Sequence, residues 1–223
     1  MSEKVTLAVD TVIFTIKDND FQILLIKRKN SPYKGMYALP GGLVEKNEEV
    51  EETASRELEE ETGVKNIFLK QFGVYSSVGR DPRGRVVSVA FIALISSDNI
   101  NLCAKDDAEL AGWFSVDSMP KLAFDHKKVI EDAILNLRFE IQTTNIAFQI
   151  LPKRFTMPEL KSTYELILGK KFDKRNFSKR IKSLEILKET NEYRMDGPHR
   201  PAQLYEFKDI KYKPLKDKIH VFI

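Results

Sequence analysis

The chain of 223 residues is poor in the features that mark secreted, zinc-binding and membrane proteins. Its one cysteine, Cys103, cannot form an internal disulfide, which favours a reducing compartment. Its three histidines lack the spacing of metal ligands, which argues against a zinc site. Apolar runs stay well short of the roughly 20 residues that span a bilayer, and the first residues do not resemble a signal peptide. We therefore expect a cytoplasmic globular protein.

Charge is divided unevenly along the chain, although the formal total is only +3. Residues 1–143 contain 18 basic and 23 acidic side chains, a net of −5. Residues 144–223 contain 18 basic and 10 acidic side chains, a net of +8. Because the composition also changes near residue 143, we predict two domains, at 1–143 and 144–223. The basic second domain is expected to have an anionic partner.

The most informative segment is residues 42–64, GLVEKNEEVEETASRELEEETGV. Apolar residues at four-residue spacing predict a helix in it. Glu57, Glu60 and Glu61 lie at positions i, i+3 and i+4, so they project from one side of that helix. Crowded carboxylates repel one another unless a cation lies among them, and oxygen ligands suit Mg²⁺ or Mn²⁺. An acidic, solvated helix face is the alternative interpretation.

The spacing of the glycines, charged residues and apolar residues in this segment resembles the Nudix box, whose fixed positions are matched by Gly42, Glu48, Arg56, Glu57, Leu58, Glu60, Glu61, Gly63 and Val64. The resemblance to Nudix hydrolases implies an α/β/α sandwich with a mixed sheet, which cleaves nucleoside diphosphates linked to another moiety. It implies four metal ligands, namely Glu57, Glu60, Glu61 and the backbone carbonyl of Gly41. It also implies that Arg56 orients Glu57 and that Glu48 lies close by.

Strand and helix patterns flank the box in the first domain. Apolar runs and alternation predict strands at 5–16, 21–26, 64–78, 85–95 and 113–116. The helix of the box is expected to have Asn47 as its N-cap and Gly63 as its C-cap. A further helix is predicted over 126–140, with packing positions at Val129, Ala133, Leu135 and Leu137.

Beyond Pro152, the pattern is a helix–turn–helix followed by a hairpin, which is the layout of a small α+β winged helix. Thr156 and Glu159 form a capping-box pattern before the first helix, and Asp173 opens the second. In a winged helix, the second helix enters the major groove of DNA. The candidate DNA contacts are Lys174, Arg175, Asn176, Lys179 and Arg180 on this helix, with Arg194 and Arg200 on the wing. A solvated basic face on a helper domain is the alternative.

Five stretches in order resemble the Nudix-related transcriptional regulators: YALPGGLVE, RDPRGRVVSVAF, LAFDHKKVIEDA, FTMPELKSTYELILGKKFDKRNFSKR and RPAQLYEF. The resemblance covers about residues 37–207 and implies control of NAD metabolism or sugar use, with ADP-ribose as ligand, split to AMP and ribose 5-phosphate. Regulators of this group often have a decayed Nudix box, whereas this box is intact, so we predict hydrolysis. The family wing reads Gly-Arg-Pro-Ala, whereas here His199 precedes Arg200.

Candidates for the substrate contacts lie outside the box. Arg28 and Arg80 are the preferred clamps for the diphosphate, with Arg83 and Arg85 as further choices, because arginine binds phosphate oxygens through two donors. Tyr37 or Phe72 is a candidate for stacking on adenine. Asp106, Asp107 and Glu109 are candidates for a general base, and Glu109 is also expected to contact the substrate. The arginines are also readable as ordinary strand-end or loop charges and the acids as a polar loop, and core packing is an equal alternative for the two aromatic residues.

Three functions remain open at this point. The first is a DNA-binding regulator whose Nudix domain binds and cleaves ADP-ribose or a related nucleoside diphosphate derivative. The second is a housekeeping pyrophosphatase whose C-terminal domain does not bind DNA. The third is a sugar-responsive repressor with a non-catalytic Nudix fold, against which the intact box argues. For the regulator we expect a homodimer on a palindromic double-stranded operator and no membrane partner.

Overall fold

The computed structural model describes residues 4–65, 67–96, 108–195 and 201–215, with side chains from 111 onward in the third range. The chain divides into two compact units. The first consists of Met1–Thr15, Phe21–Ile95 and Asn99–Ile134, and the second of Ile16–Asp20, Ser96–Asp98 and Leu135–Ile223. The domain boundary at 143/144 stays a prediction. Within the described residues, no helix is long and apolar enough to cross a membrane.

The first unit is built on a mixed sheet, whose strands are β1 (Thr6–Lys17), β2 (Asp20–Arg28), β3 (Tyr37–Ala38), β4 (Lys70–Tyr75), β5 (Val86–Leu94) and β6 (Ala108–Ser115). The strand order is β3-β2-β1-β5-β4, and β6 pairs with β2. β1 and β5 are parallel, whereas β3 and β6 are antiparallel to β2 and β4 is antiparallel to β5. The central strand β1 has eight consecutive buried residues, so it needs a packed layer on both of its faces.

Helix α1 (Val50–Thr62) covers one face of this sheet. Its Ala54 packs with Val9 of β1, and its Leu58 packs with Ile13 of the same strand. Both strand residues point to one side because side chains alternate along a strand. Gly63 ends the helix with a φ of 77°, a left-handed conformation that glycine adopts without strain, as predicted.

Helix α2 (His126–Thr143) begins on the opposite face of the sheet. Asp10 alternates with Val9 along β1 and so points away from α1, where its carboxylate meets the His126 ring. Two helical layers around a mixed sheet make the predicted α/β/α sandwich of the first unit.

Three local predictions were wrong. Asn47 is not the N-cap of α1, because the helix begins two residues later, after Glu49, whose N–H donates to Glu52 Oε2 at 2.9 Å. The strand predicted over 64–78 is shorter and consists only of β4 (Lys70–Tyr75), because the segment after α1 first packs Val64 into the core. Leu135 is 62% exposed, because it lies two residues from Ala133 and therefore on the other side of α2.

The second unit contains the predicted winged helix. Its elements are β7 (Phe155–Thr156), α3 (Met157–Leu168), α4 (Lys174–Ser183), β8 (Leu187–Arg194) and β9 (Ala202–Phe207). The strands form an antiparallel sheet in the order β7-β9-β8. The capping box is confirmed: the Glu159 N–H donates to Thr156 Oγ1 at 3.3 Å, and the Thr156 N–H donates to Glu159 Oε2 at 2.7 Å.

The core of this unit fixes the orientation of α4. Phe177 and Ile181 are buried, and the Phe177 ring meets Tyr164 of α3 edge-on at 5.4 Å. Asp173 caps the helix by accepting a hydrogen bond from the Asn176 N–H at 2.9 Å. Because Phe177 and Ile181 face α3, the residues on the other side of α4 face solvent.

Candidate functional site

Two glycines bring the loop before α1 into close contact with the glutamates of that helix. The Gly41 N–H donates to Glu61 Oε2 at 2.9 Å. A Cβ placed on Gly42 would lie 2.0 Å from Glu57 Oε1, and a Cβ on Gly41 would lie 2.1 Å from the Val9 carbonyl oxygen. Only glycine allows both approaches at these positions. The loop therefore lies directly against two of the predicted metal ligands.

Arg56 lies among the glutamates Glu48, Glu57, Glu60 and Glu61, which we call the acidic cluster. Its Nε and Nη2 donate to the two carboxylate oxygens of Glu48 at 2.7 and 2.9 Å. Its Nη1 donates to Glu57 Oε1 at 2.8 Å and to Glu60 Oε2 at 3.3 Å. Glu48 also accepts a hydrogen bond from Thr53 Oγ1 at 2.7 Å. The structure thus brings together the predicted catalytic residues Glu48, Arg56, Glu57 and Glu60.

The carboxylates of this cluster differ in their electrostatic surroundings. Hydrogen bonds from Arg56 and Thr53 lower the pKa of Glu48 to about 2. Burial raises the pKa of Glu57, and repulsion from Glu60 and Glu48 adds to the rise, although Arg56 acts against it. One guanidinium therefore leaves the negative charge at Glu57 incompletely compensated. Such a site attracts a further cation.

The donor set fits Mg²⁺ or Mn²⁺, since it consists of carboxylates and a backbone carbonyl. As these side chains stand, no three acidic, histidine or cysteine groups within the described residues are arranged to hold a metal ion. The reason is visible in the contacts: Arg56 draws Glu57 and Glu60 to one side, whereas Glu61 bonds to the Gly41 N–H. The residues therefore match a divalent cation in chemistry and charge, whereas their present contacts direct them to Arg56 and to the Gly41 N–H.

A cleft of about 120 Å³ opens beside the loop that contains Gly41 and Gly42, which we call the glycine loop. The cleft is lined by residues of β1, β2, the loop before α1, the loop before β5 and the segment that leads into α2. They include Asp10, Arg28, Arg80, Arg83, Phe124 and His126. Three arginines in a cleft this small make it a candidate site for an anionic ligand.

Arg28 and Arg83 share one aromatic ring in this cleft. The guanidinium carbon of Arg28 lies 4.8 Å from the centroid of the Phe124 ring, and that of Arg83 lies 5.7 Å from it. Burial lowers the pKa of Arg28, and repulsion from Arg83 adds to this effect. Arg83 is in turn held by Asp81 through Nη2 at 2.6 Å. An anion bound between these guanidiniums would relieve their repulsion.

Arg80 lines the same cleft, but carboxylates already occupy its donors. Nε and Nη2 bind Asp125 at 3.0 and 2.8 Å, and Nη2 also lies 3.0 Å from Asp10 Oδ2. Its side chain is only 6% exposed. Arg80 is therefore placed to organise the cleft wall. Asp81 also occupies Nε and Nη2 of Arg83, but the Arg83 side chain is 50% exposed, so it can still meet phosphate oxygens together with Arg28.

Other candidates for substrate contact lie elsewhere. Tyr37 packs edge-on against Phe114 at 4.8 Å, and Phe72 meets Tyr75 at 6.3 Å. Neither aromatic ring lines the cleft in the part of the chain that the structure describes. Asp106, Asp107 and the Glu109 side chain lie outside the described residues. Their roles stay predictions.

Asp10, Phe124 and His126 are cleft residues that were not among the predicted site residues. Two signals were available for finding them. Asp10 is an acid within the otherwise apolar run of β1, and a buried charge requires a partner. Phe124 and His126 belong to the LAFDHKK stretch, which carried part of the family resemblance.

The outer side of α4 is a candidate nucleic-acid interface. Lys174, Arg175, Asn176 and Lys179 are all exposed. Across the described residues, the basic side chains of Lys174, Arg175 and Lys179 form no ion pair, so their charge is available to phosphates.

The remaining candidates for DNA contact are less favourably placed. Arg180 is half-buried, and its Nε has no hydrogen-bond partner among the described atoms. Arg194 is paired with Glu159, whereas Arg200 lies outside the described residues. The basic side of α4 therefore carries the stronger case.

Comparison with known proteins gives two matching family models. Residues 6–133 match the NUDIX domain, and residues 147–207 match the NrtR DNA-binding winged helix domain. The ADPR responsive transcriptional repressor NtrR of Acinetobacter baylyi is 35% identical over 205 residues, which cover 90% of this chain and 81% of that protein. The ADP-ribose pyrophosphatase of Methanocaldococcus jannaschii is 50% identical over 125 residues, which cover 56% of this chain and 70% of that protein.

A solved structure extends the similarity over both units. The crystal structure of Shewanella oneidensis NrtR complexed with a 27mer DNA matches with a TM-score of 0.78 at 32% identity. The match covers 91% of this chain and 93% of that one. The similarity therefore includes the sandwich, the winged helix and their order along the chain.

Proposed function

Since the chain belongs to the Nudix family and carries an NrtR winged helix domain, we propose that it is an ADP-ribose-responsive transcriptional repressor whose Nudix domain also hydrolyses ADP-ribose. The near full-length similarity to a repressor that responds to this ligand supports the regulatory half. The 50% identity to an ADP-ribose pyrophosphatase supports the hydrolytic half. The products are AMP and ribose 5-phosphate, and the protein acts in the cytoplasm, where it controls genes of NAD metabolism.

The observation that carries the hydrolytic half is the acidic cluster against the glycine loop. Glu57, Glu60, Glu61 and the Gly41 carbonyl would hold Mg²⁺ or Mn²⁺. When bound, such an ion withdraws charge from a diphosphate and lowers the pKa of a coordinated water. Arg56 holds Glu57 in place from behind, and its paired bonds to Glu48 fix the guanidinium in turn.

The cleft supplies the groups that bind the substrate. Arg28 and Arg83 neutralise the diphosphate, because a guanidinium places two donors against phosphate oxygens. The Phe124 ring between them offers an apolar surface for the nucleoside or ribose. The cleft is lined by the glycine loop itself, so a diphosphate bound to the arginines lies beside the acids of α1.

Hydrolysis is tested by Glu60→Gln, which removes a negative charge from the cluster with little change in size. We expect loss of Mg²⁺-dependent ADP-ribose cleavage, measured as AMP release. The matched control is Glu59→Gln, because Glu59 is the adjacent residue and pairs with Lys65 instead of Arg56. Unchanged turnover in Glu60→Gln would reject the metal assignment, whereas equal losses in both variants would point to damage of the helix.

The regulatory half rests on the basic side of α4. Its exposed Arg175 and Lys179 lie one helical turn apart, so they point the same way and can bind one stretch of DNA backbone. We propose that α4 is the recognition helix and that a homodimer places two copies on a palindromic operator. Phosphate contacts of this kind give an affinity that falls steeply as salt rises.

DNA binding is tested by the double variant Arg175→Ala/Lys179→Ala in a gel shift with the DNA upstream of the protein's own operon. We expect loss of the shifted complex and normal hydrolysis, because both residues belong to the second unit. The control is Lys208→Ala/Lys211→Ala, which removes the same charge from exposed residues of that unit. Retained operator affinity in the first variant would exclude α4 as the recognition helix.

Adding ADP-ribose to the same gel shift separates the repressor from a housekeeping pyrophosphatase. A ligand that changes operator affinity must itself bind with different affinity to free and operator-bound protein, because the coupling is reciprocal. We expect ADP-ribose to change the midpoint of the wild-type titration. A pyrophosphatase whose second unit does not bind DNA would give no shift with or without the ligand.

A further inference from the structure

A buried polar network joins the start of α2 to the glycine loop. The Leu39 N–H donates to His126 Nδ1 at 2.9 Å, and His126 Nε2 lies 3.3 Å from Asp10 Oδ1. Asp10 also accepts from Ser88 Oγ at 2.6 Å and from Arg80 Nη2 at 3.0 Å. His126 is 4% exposed and Asp10 is 8% exposed, so water does not compete for these bonds.

The network fixes the tautomer of the histidine. Nδ1 accepts the proton of the Leu39 N–H, so Nδ1 carries no hydrogen of its own. The ring proton is therefore on Nε2, which faces the Asp10 carboxylate. Asp10 is held on other sides by Ser88 and Arg80, so the imidazole cannot turn without breaking several bonds. The acceptor that faces Leu39 is thereby fixed in place.

Leu39 is the anchored start of the loop that meets α1. The next carbonyl, that of Pro40, accepts from the Thr11 N–H at 2.8 Å, and the Gly42 carbonyl accepts from the Val9 N–H at 2.9 Å. These two bonds tie the loop to β1 on either side of Gly41. The bond from Leu39 to His126 ties the same loop to α2.

We infer that His126 is a positioning residue for hydrolysis: through Nδ1 it holds Leu39, and through Leu39 it sets the glycine loop against the glutamates of α1. The inference rests on the proposed hydrolytic function. His126 contacts Leu39, which lies two residues before Gly41 in the chain. Its effect on the Gly41 carbonyl is therefore indirect, and it has no direct role in the chemistry. Asp10, Ser88 and Arg80 are the supports that keep its acceptor aimed at the loop.

Two substitutions separate the two bonds of the imidazole. In His126→Asn, the side-chain oxygen occupies the position of Nδ1 and still accepts from Leu39, while the contact with Asp10 is lost. In His126→Gln, the amide group extends to the position of Nε2 and can still donate to Asp10, while the acceptor for Leu39 is lost. Comparing the two variants therefore separates the effect of losing the bond to Leu39 from the effect of changing the buried side chain.

We expect His126→Gln to lower kcat for ADP-ribose on the order of 10- to 100-fold, since displacement by about 1 Å costs that much in an organised site. KM should change little, because the cleft arginines are untouched. His126→Asn should stay within a few-fold of wild type. Amide hydrogen exchange at Leu39 should be faster in His126→Gln than in His126→Asn. A structural role alone would instead lower stability in both variants without this order in kcat.

Equal kcat in the two variants, or equal exchange at Leu39, would overturn the inference. If His126→Gln does not fold, the folded His126→Asn protein decides: retained kcat and a protected Leu39 amide support the positioning role, whereas a tenfold loss or an unprotected amide refutes it. If the wild-type protein does not cleave ADP-ribose, the proposed hydrolysis fails, and the exchange rates at Leu39 still decide whether His126 holds the loop.

Discussion

Gly42→Ala separates activity from stability in this site. The added Cβ would lie 2.0 Å from Glu57 Oε1, whereas ordinary contact begins at 3.4 Å, so the carboxylate has to retreat by about 1.4 Å. A shift of about 1 Å in an organised site costs roughly 100-fold in rate, which corresponds to about 2.7 kcal/mol in the barrier. We therefore expect kcat for ADP-ribose cleavage to fall about 100-fold.

The fold of Gly42→Ala should survive, because the obstacle is the flexible end of a side chain. Alanine also restricts the unfolded chain, which stabilises by about 0.4–1 kcal/mol where the backbone conformation permits. Gly41→Ala is the informative contrast, since its Cβ would meet the Val9 carbonyl oxygen at 2.1 Å in a backbone conformation of φ 154°. Thermal unfolding should thus spare the first variant and damage the second. Wild-type kcat in a folded Gly42→Ala protein would refute the placement of Glu57.

Two further outcomes concern stability. Hydrogen bonds from Arg56 and Thr53 lower the pKa of Glu48 from 4.5 to about 2, so its stabilising contribution is present above pH 4.5 and is lost as the pH falls towards 2. Urea midpoints of Glu48→Gln and wild type should converge through that window, and a constant difference would contradict this origin of the pKa. Thr156→Ala removes the side-chain acceptor at the start of α3 and should cost about 1 kcal/mol in urea unfolding of the second unit; an unchanged midpoint would show that the cap is dispensable.

Sequence patterns were sufficient wherever a residue's role depends on near neighbours along the chain. The spacing of Glu57, Glu60 and Glu61 put them on one side of α1 because helical geometry is fixed by local hydrogen bonds. The capping box at Thr156 and the C-cap at Gly63 were found for the same reason. These features need no knowledge of the tertiary fold.

Patterns were insufficient where partners are far apart in the chain. Asp10, Arg80 and His126 meet only after β1, the loop before β5 and the start of α2 have packed together. The two carboxylates that occupy the donors of Arg80 could therefore not be anticipated, and its role in binding phosphate stays a prediction. His126 was placed at the start of a predicted helix and rejected as a zinc ligand, but its role at the loop was not predicted, because its partner at Leu39 is a backbone amide, which leaves no trace in a sequence.

We propose that different residues of the first unit bind ADP-ribose and hydrolyse it, which explains how one domain can both respond to this ligand and cleave it. In the proposed function, Arg28 and Arg83 bind the negative charge that ADP-ribose carries before and during cleavage, whereas the glutamates of α1 act only in the cleavage step. Removing Glu60 should therefore abolish turnover while leaving Arg28 and Arg83 to bind the ligand. Because coupling to DNA depends on binding and not on turnover, the response of the operator complex should outlast the loss of hydrolysis. Ligand binding in the cleft should therefore start the response of the operator complex, and hydrolysis should limit how long that response lasts.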